Sequence, residues 1–168
     1  SRWIRIPATI ILEFFRGMPV LLMMLFILLA LATSGYWAVV IALTVYNGAI
    51  IGEALRAGLL ALPRGQREAG LSVGLTSLQT RLAVEFPQAF RQMLPIIVAQ
   101  LVVLLKDTSL ASTILVTEVF RQAQIAAAPT FDFLVMYVVA ACFYWVVCQV
   151  LSVVQTHFEN RFERYVAR

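Results

Sequence analysis

From Phe131 to Val154 the chain carries one charged side chain, Asp132, in a stretch long enough to cross a bilayer as a helix. A spanning helix needs about 20 predominantly apolar residues. A second such run extends from Tyr36 to Leu62, and shorter ones from Pro19 to Ala32 and from Met93 to Leu105. Composition agrees: 61% of the 168 residues are hydrophobic and only 13% are charged, with a mean hydropathy of +0.87. Soluble domains are about 45–50% apolar and about 25% charged. Too little polar material is present to cover a water-soluble enzyme, and intrinsic disorder is excluded by the same balance. The expected fold is an all-α membrane bundle of about four to five helices. It forms a single transmembrane domain over residues 1–168, with a polar loop at 63–91. The chain opens on Ser1-Arg2-Trp3 without a Met or a signal-peptide pattern, so further sequence is expected upstream.

The first run reaches spanning length only if its helix begins near Ile10, with Gly17 and Pro19 marking a kink or break. Thr33-Ser34-Gly35 reads as a turn. Trp3, Tyr36 and Trp37 stand at run ends, as interfacial aromatics do. The net charge of +4 does not signal nucleic acid, because the basic residues gather at run ends. Arg2 and Arg5 precede the first run, Arg64, Arg67, Arg81 and Arg91 share the polar loop, and Arg161, Arg164 and Arg168 share the C-terminal tail. Counting crossings puts all three groups on one side, and the positive-inside rule makes that side cytoplasmic. Cys142 and Cys148 fit no metal-ligand spacing and read as small packing residues.

The polar loop runs Gly65-Gln66-Arg67-Glu68-Ala69-Gly70-Leu71-Ser72-Val73-Gly74-Leu75 and continues to Glu85-Phe86-Pro87. Leu71, Leu75, Leu78 and Leu82 have helical spacing. Gly74 permits a sharp turn, and Thr76 with Gln79 has the spacing of a capping box. Pro87 is expected to interrupt the second helix. The physical picture is a short helix, a glycine turn and a helix returning to the membrane. Physics alone allows either an amphipathic loop on the lipid surface or a lever held by a soluble partner.

Glu68-Ala69-Gly70, Gly74 and the later Phe86-Pro87 resemble the EAA motif of ABC-importer permeases, with Gly70 where Ala is usual and Phe86 where Leu is usual. Glu13-Phe14-Phe15-Arg16-Gly17-Met18-Pro19, Pro63-Arg64-Gly65-Gln66-Arg67-Glu68-Ala69 and Leu104-Leu105-Lys106-Asp107-Thr108-Ser109-Leu110 are similar to stretches of the polar-amino-acid branch. The resemblance covers the chain from about Glu13 to the tail. It implies a multi-pass subunit of the bacterial inner membrane that carries a polar amino acid, glutamate or glutamine by first choice. It implies as partners two copies of an ATP-binding subunit, a second permease copy or paralogue, and an extracytoplasmic substrate-binding protein, besides membrane lipid. It also implies that Glu68, Ala69, Gly70, Gly74 and Pro87 couple to the ATPase. An expected helix weakening of about 1 kcal/mol attaches to Gly70.

Charges within apolar runs are functional candidates by default. Glu13/Arg16, Glu53/Arg56 and Glu118/Arg121 share i, i+3 spacing, which allows each pair to neutralise itself. The competing reading puts Glu53 and Arg56 against the ammonium and carboxylate of an amino acid. Lys106-Asp107-Thr108-Ser109 interrupts an apolar run, and a backbone break is expected there. Such breaks surround substrates in transporters, or Lys106 and Asp107 simply pair and cap a helix. Gly48 and Gly52 form a G-x-x-x-G suited to close helix packing. No phosphate-binding G-x-x-x-x-G-K-[ST], metal cluster or Ser/His/Asp constellation appears, so no cofactor and no own ATPase site are expected. The alternative function is a gradient-driven secondary amino-acid transporter using Glu53 and Asp107. A third is a non-transporting assembly subunit.

Overall fold

A computed structural model describes residues 2–166 and, of these, all side chains but those of 2, 4, 5, 8 and 158–166. The expected tail residue Arg168 lies outside the described residues, as do the side chains of Arg2, Arg5, Arg161 and Arg164. The elements are α1 (Arg2–Gly17), α2 (Val20–Ala30), α3 (Gly35–Ala61), α4 (Arg64–Ser72), α5 (Ser77–Thr80), a π-helical turn (Arg81–Glu85), α6 (Phe86–Asp107), a 3₁₀ segment (Thr108–Ile114), α7 (Val119–Ala127) and α8 (Phe133–Val166). Among the described residues three helical runs are each long and apolar enough to cross a membrane: Gly35–Ala61, Ser77–Ile114 and Phe133–His157.

The first apolar run breaks at Gly17–Pro19, as expected, and Thr9–Gly17 with Val20–Ala30 has the length and hydropathy of a span only as a bent pair. The two helices meet there at 106°. Pro19 precedes the first residue of α2 in an extended conformation, as the restriction on proline's φ and its missing N–H favour at a helix start. With 11 residues, α2 rises about 16 Å, roughly half the hydrocarbon thickness. The Ser77–Ile114 run overshoots instead: its 38 residues rise about 57 Å, so a substantial part projects beyond the hydrocarbon.

The chain divides into two compact units, residues 1–50 with 100–151 and residues 51–99 with 152–168. The first has a core of Val20, Met23, Met24, Val39, Ala42, Leu43 and Ala111, with Phe15, Met18, Leu104 and Ile114 packed on it. Two methionines at its centre suit an irregular junction, since their unbranched chains fill gaps that stiffer side chains leave. The α2–α3 turn packs on the end of the 3₁₀ segment, where a Cβ on Gly35 would meet Val116 Cγ2 at 2.9 Å and the Ile114 carbonyl at 3.2 Å. Buried Asn47 donates to the Leu43 carbonyl at 2.8 Å and accepts from Gln100 Nε2 at 2.8 Å. Amide pairs of this kind tie helices where water cannot compete, by about 0.6 kcal/mol on average. Replacing Asn47 with Leu is therefore expected to cost under about 2 kcal/mol in unfolding from detergent. A much larger loss would give the pair a role beyond packing.

Gly48 and Gly52 do not pack as expected: a Cβ at either would meet nothing within 4 Å in this chain. In the second unit Gly58 supplies the close approach, with the Ala89 carbonyl 3.5 Å from the position of its missing Cβ. Cys148 is buried as expected, whereas Cys142 is exposed. Most of the described side chains of α8 are also exposed, with Leu134, Phe143, Trp145 and Val153 uncovered, as a face toward lipid or another membrane subunit requires.

Candidate functional site

The second unit presents a helical hairpin. Helix α4 follows Pro63 and ends in a Schellman arrangement: the Leu75 N–H donates to the Gly70 carbonyl at 3.2 Å and the Gly74 N–H to the Leu71 carbonyl at 3.0 Å. Gly74 takes φ +86° there, a conformation that glycine adopts without a Cβ penalty. The expected capping box forms. The Thr76 hydroxyl accepts from the Gln79 N–H at 3.3 Å, and the Gln79 side chain accepts from the Thr76 N–H at 2.9 Å.

Two expectations about this loop need correction. Leu71, Leu75, Leu78 and Leu82 do not form one stripe, because Gly74 reverses the chain between the first and the rest. Pro87 does not interrupt the second arm. The π-helical turn precedes it, with the Phe86 N–H donating to the Arg81 carbonyl. A proline collides with the carbonyl four residues back in an α-helix; one wide turn relieves that collision and the helix continues.

The hairpin closes on Gly70, which is buried, and Thr80, which is fully buried. A Cβ on Gly70 would stand 2.5 Å from Thr80 Cγ2 and 3.0 Å from its Oγ1. Glycine here is thus a steric requirement of this chain, which the Ala-to-Gly departure alone did not reveal. Thr80 Oγ1 is buried without a hydrogen-bond partner. Glu68, Ala69 and Gly74 are exposed and Pro87 is half-buried. Leu71, Val73, Leu78 and Leu82 are also exposed, Val73 by 76%. The hairpin therefore offers an apolar rim beside an acidic and basic one. Gln66 and Gln88 bridge its base at 3.0 Å. Glu53 and Arg56 form the expected pair, with Arg56 Nε donating to Glu53 Oε2 at 2.8 Å; they belong to α3 within this second unit.

The first unit holds the Lys106–Ser109 segment. The backbone does not unwind there, contrary to expectation, but tightens from α-helix to 3₁₀-helix and turns only at Leu115, whose φ is +60°. Hydroxyls explain the tightening. Thr108, Ser109, Ser112 and Thr113 donate to the carbonyls three residues back at 2.6, 2.7, 2.8 and 2.7 Å. Side chains thus satisfy carbonyls where membrane depth offers little water. Lys106 and Asp107 do not pair: among the described residues no ion pair involves either, and Asp107 makes no capping bond.

Glu118 and Arg121 do not pair either. The Glu118 carboxylate caps α7, accepting from the Phe120 and Arg121 N–H groups at 2.7 and 2.6 Å and from the Tyr144 hydroxyl at 2.6 Å. The Arg121 guanidinium donates to Gln124 instead at 3.1 Å. An N-cap binds a carboxylate through two orphan amides at the positive helix end, which outcompetes a side-chain cation. The Tyr144–Glu118 bond thus ties α8 to the start of α7. Sequence reasoning missed it, since nothing local relates Tyr144 to Glu118.

Residues 1–164 match the family described as binding-protein-dependent transport system inner membrane component. The chain belongs to this family. It is thus a multi-pass membrane permease, and its helical fold is the expected one. The permease is 44% identical over 160 residues to the L-cystine transport system permease protein of Bacillus subtilis (strain 168), covering 91% of this chain and 68% of that one. It is 35% identical over 161 residues to the glutamine transport system permease protein of Escherichia coli (strain K12), covering 92% and 74%. To the glutamate transport system permease protein of Corynebacterium glutamicum it is 35% identical over 171 residues, covering 97% and 60%. A chain from the crystal structure of an amino acid ABC transporter with histidines superposes with a TM-score of 0.88 at 31% identity, covering 95% of the permease and 77% of that chain.

Proposed function

We propose that the permease forms part of the translocation path of an ATP-driven importer for a polar α-amino acid, in the chemical class of cystine, glutamine and glutamate. The relatives' substrates support the class. Free α-amino acids are zwitterions, so the path needs both signs of charge or their hydrogen-bonding equivalents. Asp107 would receive the ammonium and Lys106 the carboxylate, with Thr108 and Ser109, whose hydroxyl hydrogens are held by carbonyls three residues back, lining the path beside them; Glu53 and Arg56 would serve as a second pair of charges. The energy comes from a partner ATPase, docked on the cytoplasmic face over Glu68, Ala69, Gly70, Gly74 and Pro87. A binding protein delivers substrate on the other side, and a second copy or a paralogue completes the path.

One observation carries the coupling role: the hairpin is rigid at its closure yet exposed at its rim. The Schellman end, capping box and Gly70–Thr80 contact fix its shape, while Leu71, Val73, Leu78 and Leu82 are left for a partner. Its second arm is the start of the helical run that ends at Ile114, so force on the hairpin acts directly on a spanning helix. The test is uptake by vesicles holding the permease, its ATPase and its binding protein. Uptake is expected only with ATP and binding protein present. Uptake driven by a proton gradient without ATP would refute the reading.

A further inference from the structure

The π-helical turn at Arg81–Glu85 lies between two close contacts made through glycine. Before it, fully buried Thr80 closes against Gly70 of α4. After it, fully buried Ala89 seats on Gly58 of α3, with its carbonyl 3.5 Å from the missing Cβ. All four residues belong to the second unit. A regular α-helix turns about 100° per residue, so residues nine apart, as Thr80 and Ala89 are, would point to opposite sides of it. A π turn takes up one residue more than an α turn, which leaves the two about 80° apart and lets both contacts form. Burial along the arm records the same shift. Met93 and Ala89 are buried, and the Glu85 side chain, four residues before Ala89, is 18% exposed. The next buried residue is Thr80, five further back. On a regular helix Leu82 and Leu78 would lie within about 20° of the direction of Ala89. They are instead 60% and 65% exposed.

We propose that Pro87 is a positioning residue for the docking rim: by forcing the π turn it faces Leu78 and Leu82 outward, toward the ATPase. The proposal rests on the hairpin being the handle of that ATPase. On a regular helix the Pro87 ring would collide with the Ala83 carbonyl, and proline has no N–H to offer that carbonyl in exchange. The wide turn removes the collision, with the Phe86 N–H bonded to the Arg81 carbonyl. The Gln66–Gln88 bond, at 3.0 Å between α4 and α6, shares the register that the turn sets. Without the ring an α turn becomes open to the arm. Ala89 and Met93 hold α6 by their burial, so the arm before the turn is the part that rotates, by about 100°. That rotation carries Leu82 inward and Thr80 away from Gly70. Pro87 thus acts on the ATPase through Leu78 and Leu82, without having to touch it.

The experiment follows labelling of Leu82→Cys by a membrane-impermeant maleimide, in inside-out vesicles holding the permease after Cys142→Ala and Cys148→Ala. Three chains are compared: one with Pro87 kept, one with Pro87→Ala, and one with Pro87→Ala and Ala83 deleted. The deletion removes the surplus residue of the turn, so a plain α-helix then keeps both glycine contacts. Labelling is expected with Pro87 kept, lost in Pro87→Ala and regained in the deletion chain. ATP-driven uptake, measured with the ATPase and binding protein added and without the Leu82→Cys change, is expected to be lost and regained in the same order. A direct contact of Pro87 with the ATPase would not be regained by removing a further residue. Undiminished labelling in Pro87→Ala overturns the proposal, as does a deletion chain that stays unlabelled or inactive. Faster labelling in Pro87→Ala would mean a loosened hairpin in place of a rotated one and overturns it too. Protection of the Leu82 label by added ATPase is scored separately: its absence refutes the handle itself, whatever the order of labelling.

Discussion

Replacing Gly70 with Ala is expected to uncouple ATP hydrolysis from transport, although alanine is the better helix former. Two effects oppose each other. Helix propensity favours Ala by about 1 kcal/mol. Against it, the new Cβ would stand 2.5 Å from Thr80 Cγ2, a distance that real Cβ atoms do not keep. Thr80 is fully buried and has only two common rotamers inside a helix, so it has little room to swing aside. Overpacking of this kind costs about 1–3 kcal/mol. If the cost falls on hairpin closure, the competent form drops by roughly 5- to 150-fold. Transport should fall accordingly while the permease still reaches the membrane. The compensating change is Thr80→Ala, which removes the methyl group and the unpartnered hydroxyl together. The double variant should recover coupling and unfold at a higher temperature than Gly70→Ala alone. Equal transport in Gly70→Ala and the unaltered chain would show that the contact does not set the hairpin.

Replacing Asp107 with Ala should abolish uptake without weakening the fold. Asp107 is half-buried in a run of apolar residues, makes no ion pair among the described residues and caps no helix. A structural carboxylate would be expected to show one of these partners, since an uncompensated charge at membrane depth is costly. Its loss therefore relieves the folded state, whereas a lost contact to an ammonium is worth about 1.5–3 kcal/mol, or up to roughly 150-fold in rate. Uptake in vesicles is the measurement, with ATPase pull-down as the control for assembly. Undiminished uptake would remove Asp107 from the path.

Local sequence carried the helical membrane fold and the hairpin well, and several side-chain pairings poorly. Gly74, Thr76 and Gln79 announce a turn and a cap because their effects reach only a few residues, and both form as read. Pro87 misled because a single wide turn relieves its ring, and no spacing signals that in advance. Glu118 and Arg121 misled for a different reason. Their i, i+3 spacing suits an ion pair, but Glu118 also begins α7, and two amides and the distant Tyr144 hydroxyl claim its oxygens first. The hydroxyl ladder from Thr108 to Thr113 was visible as residues, yet its consequence, a tightened helix instead of a break, depends on which carbonyls lack water. Gly48 and Gly52 show the reverse error, a spacing motif with nothing facing it inside the chain.

The central claim is that the Gly70–Gly74 hairpin is the cytoplasmic handle of the ATPase. Ala69→Cys, exposed beside the hairpin closure, reports on it directly through labelling by a membrane-impermeant maleimide. Reaction is predicted in inside-out vesicles, with protection when the ATPase subunit is added back. Reaction only from the outer face, or no protection by the ATPase, would contradict the account.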